Sequence, residues 1–97
     1  MSSYTRINPQ PIVKELDLGT ITLPAGGRGY KSGTAETVSG YRVAGTLGAR
    51  WTHPGTVSCS PYSWGASIFI HLKNNGDQVM EENVLRVYVL YLPDNVT

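Results

Sequence analysis

The groups in this 97-residue chain that could do chemistry are few: His53 and His71, the single Cys59, and seven carboxylates. A metal site built from His53, Cys59 and His71 would need three separated segments to converge, and one cysteine cannot form a zinc site of the usual kind. As a nucleophile Cys59 would need a base and an orienting partner, and no local signature supplies them, so a small buried hydrophobe is the expected role. His53 falls in the turn Trp51-Thr52-His53-Pro54-Gly55, where capping or exposure is expected, and His71 falls on the polar side of its segment. Glu81 and Glu82 are the only close acidic pair, and adjacent residues do not set the separation that paired catalytic carboxylates require. The run Gly26-Gly27-Arg28-Gly29, followed by Lys31-Ser32, matches neither the dinucleotide fingerprint nor the phosphate-loop pattern, and no helix follows it. A flexible turn or surface loop is the expectation there. These residues predict a protein that is not an enzyme and holds neither metal nor cofactor.

Aromatic side chains are the other chemical resource. Tyr62 and Trp64 fall in a segment read as a loop, Pro61 to Gly65, and Tyr30 falls in the glycine-rich stretch. Rings placed this way can stack on sugar faces or anchor a protein partner, since they bring large contact area at low entropy cost. Tyr62, Trp64 and Tyr30 are therefore the candidate binding residues. Trp51 ends an alternating apolar face and is expected in the core.

Positioning these residues falls to short strands. The segment 84–92, Val-Leu-Arg-Val-Tyr-Val-Leu-Tyr-Leu closed by Pro93, is β-branched and aromatic, hence a strand. Val84, Arg86, Tyr88, Leu90 and Leu92 share one face and Leu85, Val87, Val89 and Tyr91 the other. With both faces mostly apolar, the strand is either central or covered on one side by another chain. Val87, Val89 and Tyr91 are the expected contacts of an oligomer interface.

Further strands follow from patterning. Residues 12–23 alternate with a break, Leu16 and Leu18 and then Ile21 and Leu23, which predicts a bulge or kink at Gly19. Residues 41–51 show the clearest period of two, with Tyr41, Val43, Gly45, Leu47, Ala49 and Trp51 on the inner face. Thr56 to Ser60 reads as a short strand with Val57 and Cys59 inward, and 35–38 as another. In 67–73, Ile68, Ile70 and Leu72 face the core, and Asn74-Asn75-Gly76-Asp77 supplies the positive-φ residues of a tight turn. Glu81-Glu82-Asn83 is placed in the connection before the last strand. No segment of helical period survives.

Composition agrees: charged residues are 15% against a typical ~25%, alongside 11 glycines and 6 prolines. The expected fold is all-β, a small antiparallel β-sandwich, with jelly-roll-like and barrel-like arrangements as alternatives. One domain is expected over residues 12–97, preceded by an extended arm over residues 1–11 in which Pro9 and Pro11 interrupt pairing. A chain of this size buries roughly 60–68% of its surface, enough for one modest core. A net charge of +1 without a block of like charge lacks the footprint of a nucleic-acid protein. The first residues carry no apolar run and no segment approaches a membrane span, so cytoplasmic synthesis without membrane insertion is expected.

At Tyr41-x-Val43-Ala44-Gly45-Thr46-Leu47-Gly48, Ile68-Phe69-Ile70-His71-Leu72-Lys73-Asn74-Asn75-Gly76 and Val87-Tyr88-Val89-Leu90-Tyr91 the chain resembles small all-β domains of bacteriophage virion proteins. Such domains commonly close tail fibres or receptor-binding proteins, and relatives decorate tails and capsids. The resemblance covers residues 40–92 and implies a non-enzymatic virion component assembled as a homo-oligomer, a trimer foremost. Its implied partners are other virion proteins and a host-surface glycan. A carbohydrate-binding, lectin-like module using the loop aromatics is the alternative from another class.

Overall fold

The structure is a computed structural model that describes residues 10–94. Among the described residues six strands follow one another without a helix: β1 (Ile12–Leu23), β2 (Arg28–Thr34), β3 (Tyr41–Trp51), β4 (Val57–Trp64), β5 (Ser67–Asn74) and β6 (Met80–Pro93). They form two three-stranded sheets, in the orders β1-β6-β3 and β2-β5-β4. Every pairing is antiparallel. The chain is therefore all-β, in the arrangement of a small β-sandwich. The sheets stay separate, so no barrel closes. The sequence-expected arm, residues 1–11, lies outside the described residues except for Gln10 and Pro11, and β1 begins at Ile12.

The core is made where the sheets face each other. Ile68, Ile70 and Leu72 of β5 meet Leu85, Val87, Val89 and Tyr91 of β6 in one cluster, completed by Leu18, Leu23, Ala35 and Val57. Burying each large aliphatic side chain contributes about 1.5–3 kcal/mol, so the two central strands carry most of the stabilisation. This placement corrects one expectation. Val87, Val89 and Tyr91 are 0%, 1% and 2% exposed within the single chain, and are covered by the chain's own second sheet. They offer nothing to a neighbour. It is the alternate set, Val84, Arg86, Tyr88, Leu90 and Leu92, that faces outward, Val84 exposed and the rest half-buried.

Bulges set which side chains reach the core. In β1 the register steps from Asp17↔Arg86 to Gly19↔Leu85, so Leu18 is an extra residue. Gly19 takes φ +85° and its N–H donates to Asp17 Oδ1 at 2.8 Å, which returns Ile21 and Leu23 to the face of Leu16 as the pattern predicts. In β3 two residues, Ala44 and Leu47, are skipped by the register. Two phase changes were not visible in the alternation, so Thr46 takes the place opposite Val89 while Leu47 turns out and is 59% exposed.

Other expectations shift as well. Residues 35–38 are irregular, not a strand, although Ala35 is buried. β6 starts at Met80 and so includes Glu81, Glu82 and Asn83, with Glu82 at φ +48°. None of Asn74, Asn75, Gly76 and Asp77 has positive φ. Asn74 instead ends β5 with a fully buried amide: Nδ2 donates to the carbonyls of Leu23 (3.2 Å), Pro24 (3.1 Å) and Gln78 (2.7 Å), and Oδ1 accepts from the Gly76 N–H (2.9 Å). One side chain thus ties together the ends of β1 and β5 and the loop before β6.

Candidate ligand-binding face

The glycine-rich stretch is a strand. β2 alternates Arg28, Tyr30, Ser32 and Thr34 outward with Gly29, Lys31 and Gly33 inward. Its glycines lie close under the neighbour sheet: a Cβ at Gly29 would stand 2.8 Å from Ile21 Cδ1 and 2.9 Å from Leu23 Cδ2, and one at Gly33 2.6 Å from Leu18 Cδ2, so these side-chain tips would have to shift. The inward glycines bring β2 onto β1, Lys31 reaches towards Gly19 between them, and the ring of Tyr30 is left outside.

β4 follows the same plan. Tyr62 and Trp64 belong to this strand, not to a loop, and Pro61 is tolerated within it because β4 is an edge strand. Only Gly65 and Ala66 separate Trp64 from Ser67, with Gly65 at φ +59° closing the hairpin. Val57 and Cys59 point inward as expected.

Register then assembles the face from three strands. Across β2-β5-β4 the outward residues stand in rows: Arg28, Lys73 and Ser58; Tyr30, His71 and Ser60; Ser32, Phe69 and Tyr62; Thr34, Ser67 and Trp64. Successive rows lie about 6.5–7 Å apart along the strands and neighbouring strands about 4.8 Å across. His71 stacks between Tyr30 (centroids 5.8 Å, planes 23° apart) and Tyr62 (5.4 Å, 20°), and Tyr62 stacks on Phe69 (5.0 Å, 16°). The Tyr62 hydroxyl and His71 Nε2 are hydrogen-bonded at 3.2 Å, which fixes both rings. Trp64, at 82% exposure, extends the surface at the hairpin end.

The structure thus brings all three sequence-named binding residues, Tyr30, Tyr62 and Trp64, onto one face. Sequence reasoning missed Phe69 and His71. Their signal was present, since both fall on the side of β5 opposite Ile68, Ile70 and Leu72, but which strands flank β5 is not written in its own sequence.

Burial pushes the Cys59 thiol up to about 11, so it stays protonated and unreactive at neutral pH. Cys59 faces inward and His71 outward, so the two cannot share an ion. Backbone N–H groups of Thr56 and Val57 donate to the His53 carbonyl (3.1 and 2.9 Å), which closes the turn that carries this histidine. Among the described residues no group of three or more His, Cys, Asp or Glu is placed to hold a metal ion.

No family model, curated protein or solved structure matches this chain. The sandwich has two outer faces, one per sheet. That of β1-β6-β3 is unlike the aromatic one. Glu15 pairs with Arg86 (3.2 Å) and Arg50 (3.5 Å), and Asp17 lies 3.9 Å from Arg86, so the facing cations Arg50 and Arg86 are neutralised in place. Beyond this cluster the same face is mostly apolar, with Val13 opposite Leu90, Gly48 opposite Tyr88, and Leu47 exposed, while Arg42 stands opposite Leu92 and donates to the Pro93 carbonyl at 3.0 Å.

Proposed function

We propose that this chain is a non-enzymatic bacteriophage virion component, of the tail-fibre-tip or decoration type, which presents the β2-β5-β4 face to a host-surface glycan. One observation carries the binding part: Tyr30, His71, Tyr62 and Phe69 form a fixed run of rings on an open sheet, with Trp64 beside it. Hydroxyls from Ser32, Ser58 and Ser60 stand among them. Rings give a sugar its apolar contact, and hydroxyls answer its own hydroxyls. An exposed patch of this kind marks an interaction site more often than it marks chance. The virion setting rests on the resemblance of residues 40–92 to phage domains. The homo-oligomer, a trimer foremost, is assigned to the apolar part of the β1-β6-β3 face, where Val13, Leu47, Tyr88, Leu90 and Leu92 would pack against copies of themselves.

The test is a glycan array probed with the isolated protein, Tyr62→Ala and Trp64→Ala, alongside co-purification of the parent with particles. Each ring contributes about 0.5–1.5 kcal/mol, so each variant is expected to bind about two- to tenfold more weakly. Particle association together with ring-dependent glycan binding supports the whole reading. Ring-dependent binding without particle association leaves a carbohydrate-binding module outside any virion, a reading favoured by a ligand face that one chain completes alone. Absence of both removes the proposal.

A further inference from the structure

Resting on the glycan reading of this face, we infer that its ligand is an acidic oligosaccharide, with a carboxylate of a uronic-acid residue held between Arg28 and Lys73 and the following sugars lying over the rings. The twelve outward positions of β2, β5 and β4 include two permanent cations and no carboxylate. Those cations, Arg28 and Lys73, are direct cross-strand neighbours in the row beside Tyr30 and His71. They line, with Ser58, Ser60 and His71, a shallow groove of about 160 Å³.

Three cations of the other sheet are matched: Lys14 pairs with Glu36, Arg50 with Glu15, and Arg86 with both Glu15 and Asp17. Arg28, Lys31, Arg42 and Lys73 are in no ion pair among the described residues, and of these four only Arg28 and Lys73 stand directly opposite each other. Like charges directly opposite one another destabilise a sheet unless an anion lies between them. An arginine fork beside an ammonium suits a planar carboxylate, which can take two parallel N–H donors from the guanidinium. Ser58 Oγ accepts from Asn75 Nδ2 at 3.2 Å, leaving the hydroxyl proton free to donate to the same ligand.

The aromatic rings and cations would also suit a single-stranded nucleic acid, but there the charge is repeated at every nucleotide. A groove that follows such a strand needs cations along its length. Here both stand at one end, and the three remaining rows offer rings and hydroxyls. That asymmetry fits a ligand with localised charge and a neutral remainder.

The experiment titrates the full chain by calorimetry with a hexasaccharide that is neutral but for one terminal uronic acid, its carboxyl-reduced neutral counterpart, and a thymidine 12-mer. The acidic sugar is expected to bind about tenfold more tightly than the neutral one, and Arg28→Gln or Lys73→Gln to remove that advantage while leaving the neutral sugar's affinity unchanged. Both positions are exposed, and the thermal midpoint of each variant checks that the fold is intact. Equal binding of both sugars overturns this inference and leaves the glycan reading standing. Binding of neither sugar removes the glycan reading itself, and tighter binding of the 12-mer with dependence on the same two cations replaces it with single-stranded nucleic acid.

Discussion

Positions 89 and 90 are neighbours in β6 that point to opposite sides of one sheet, so the same substitution at each separates folding from assembly. Val89 is 1% exposed inside the sandwich, next to Thr46 and Lys14 in the register. Val89→Asp removes about 1.5–3 kcal/mol of apolar burial. It also puts a carboxyl group among Val87, Tyr91 and the β5 side chains, where the one cross-strand cation, Lys14, is already paired with Glu36, at a further cost of several kcal/mol. Against a total of about 5–15 kcal/mol for a domain, that leaves little or no folded population. Leu90 lies on the outer face, half-buried, between Val13 and Gly45. Its replacement by Asp keeps the carboxylate in water and is expected to cost about 1 kcal/mol in folding. In an assembly through that face, however, each copy would bring its own carboxylate to an apolar contact, and association is expected to fail. Urea unfolding followed by tryptophan fluorescence reads the first effect, and sedimentation velocity over a range of concentrations reads the second. A folded Val89→Asp protein with the parent's midpoint refutes the core assignment. A Leu90→Asp protein that associates like the parent refutes the interface, and a parent that stays monomeric refutes the homo-oligomer.

Three more outcomes are expected. Asn74→Ala leaves the buried carbonyls around it without their donor and lowers stability by about 2–3 kcal/mol, readable as an earlier urea midpoint at unchanged slope. Gly29→Val pushes into Ile21 and Leu23 and costs about 1–3 kcal/mol, while Gly55→Val, in open space, costs much less. The thiol of Cys59 is held neutral by burial, so folding binds its proton more tightly than the unfolded chain does. The resulting stability is complete below its ordinary value of 9.0 and is lost as pH rises towards about 11. Tyr91, pushed up by burial and then by Glu36, acts in the same direction at still higher pH. Thermal midpoints from pH 8 to 11 are expected to fall, and to fall less steeply in Cys59→Val.

Much of the fold was legible because the central strands are unambiguous. Ile68, Ile70 and Leu72 in β5 and Leu85, Val87, Val89 and Tyr91 in β6 alternate without a break, and each set is buried. Gly19 was readable as a bulge because the apolar spacing changes phase across it. The paired phase changes in β3 cancel, so the alternation resumes by Ala49 and only Leu47 betrays them. β2 was hidden by its glycines, which lower strand propensity on their own and make sense only once β1 lies against them. The end of β4 was hidden by Pro61, which reads as a stop unless the strand is known to be at an edge. Val87, Val89 and Tyr91 were expected at an interface and lie instead under the chain's own second sheet, because two apolar faces on one strand do not say which one the chain covers itself.

The two hidden strands are the ones that make the candidate site, and the reason is physical. A strand selected for stability puts its large apolar side chains inward and its small polar ones outward. β2 and the second half of β4 depart from this: Gly29, Lys31 and Gly33, with Pro61 and Ser63, lie towards the other sheet, while Tyr30, Tyr62 and Trp64 lie in solvent; only Val57 and Cys59, at the start of β4, follow the rule. Turning three such rings outward forgoes a large part of the apolar area available to a chain this small. The sandwich tolerates this because its core is supplied by β5 and β6, which leaves the edge strands to carry side chains for another purpose. A surface patch could arise from leftover hydrophobes, but leftover hydrophobes have no reason to stand in register across three strands. Nor would they be fixed by a hydrogen bond between Tyr62 and His71, or end at a pair of cations without an anion. Aligned rings and two like charges set directly opposite each other are departures from what folding requires, and the proposed ligand would account for both.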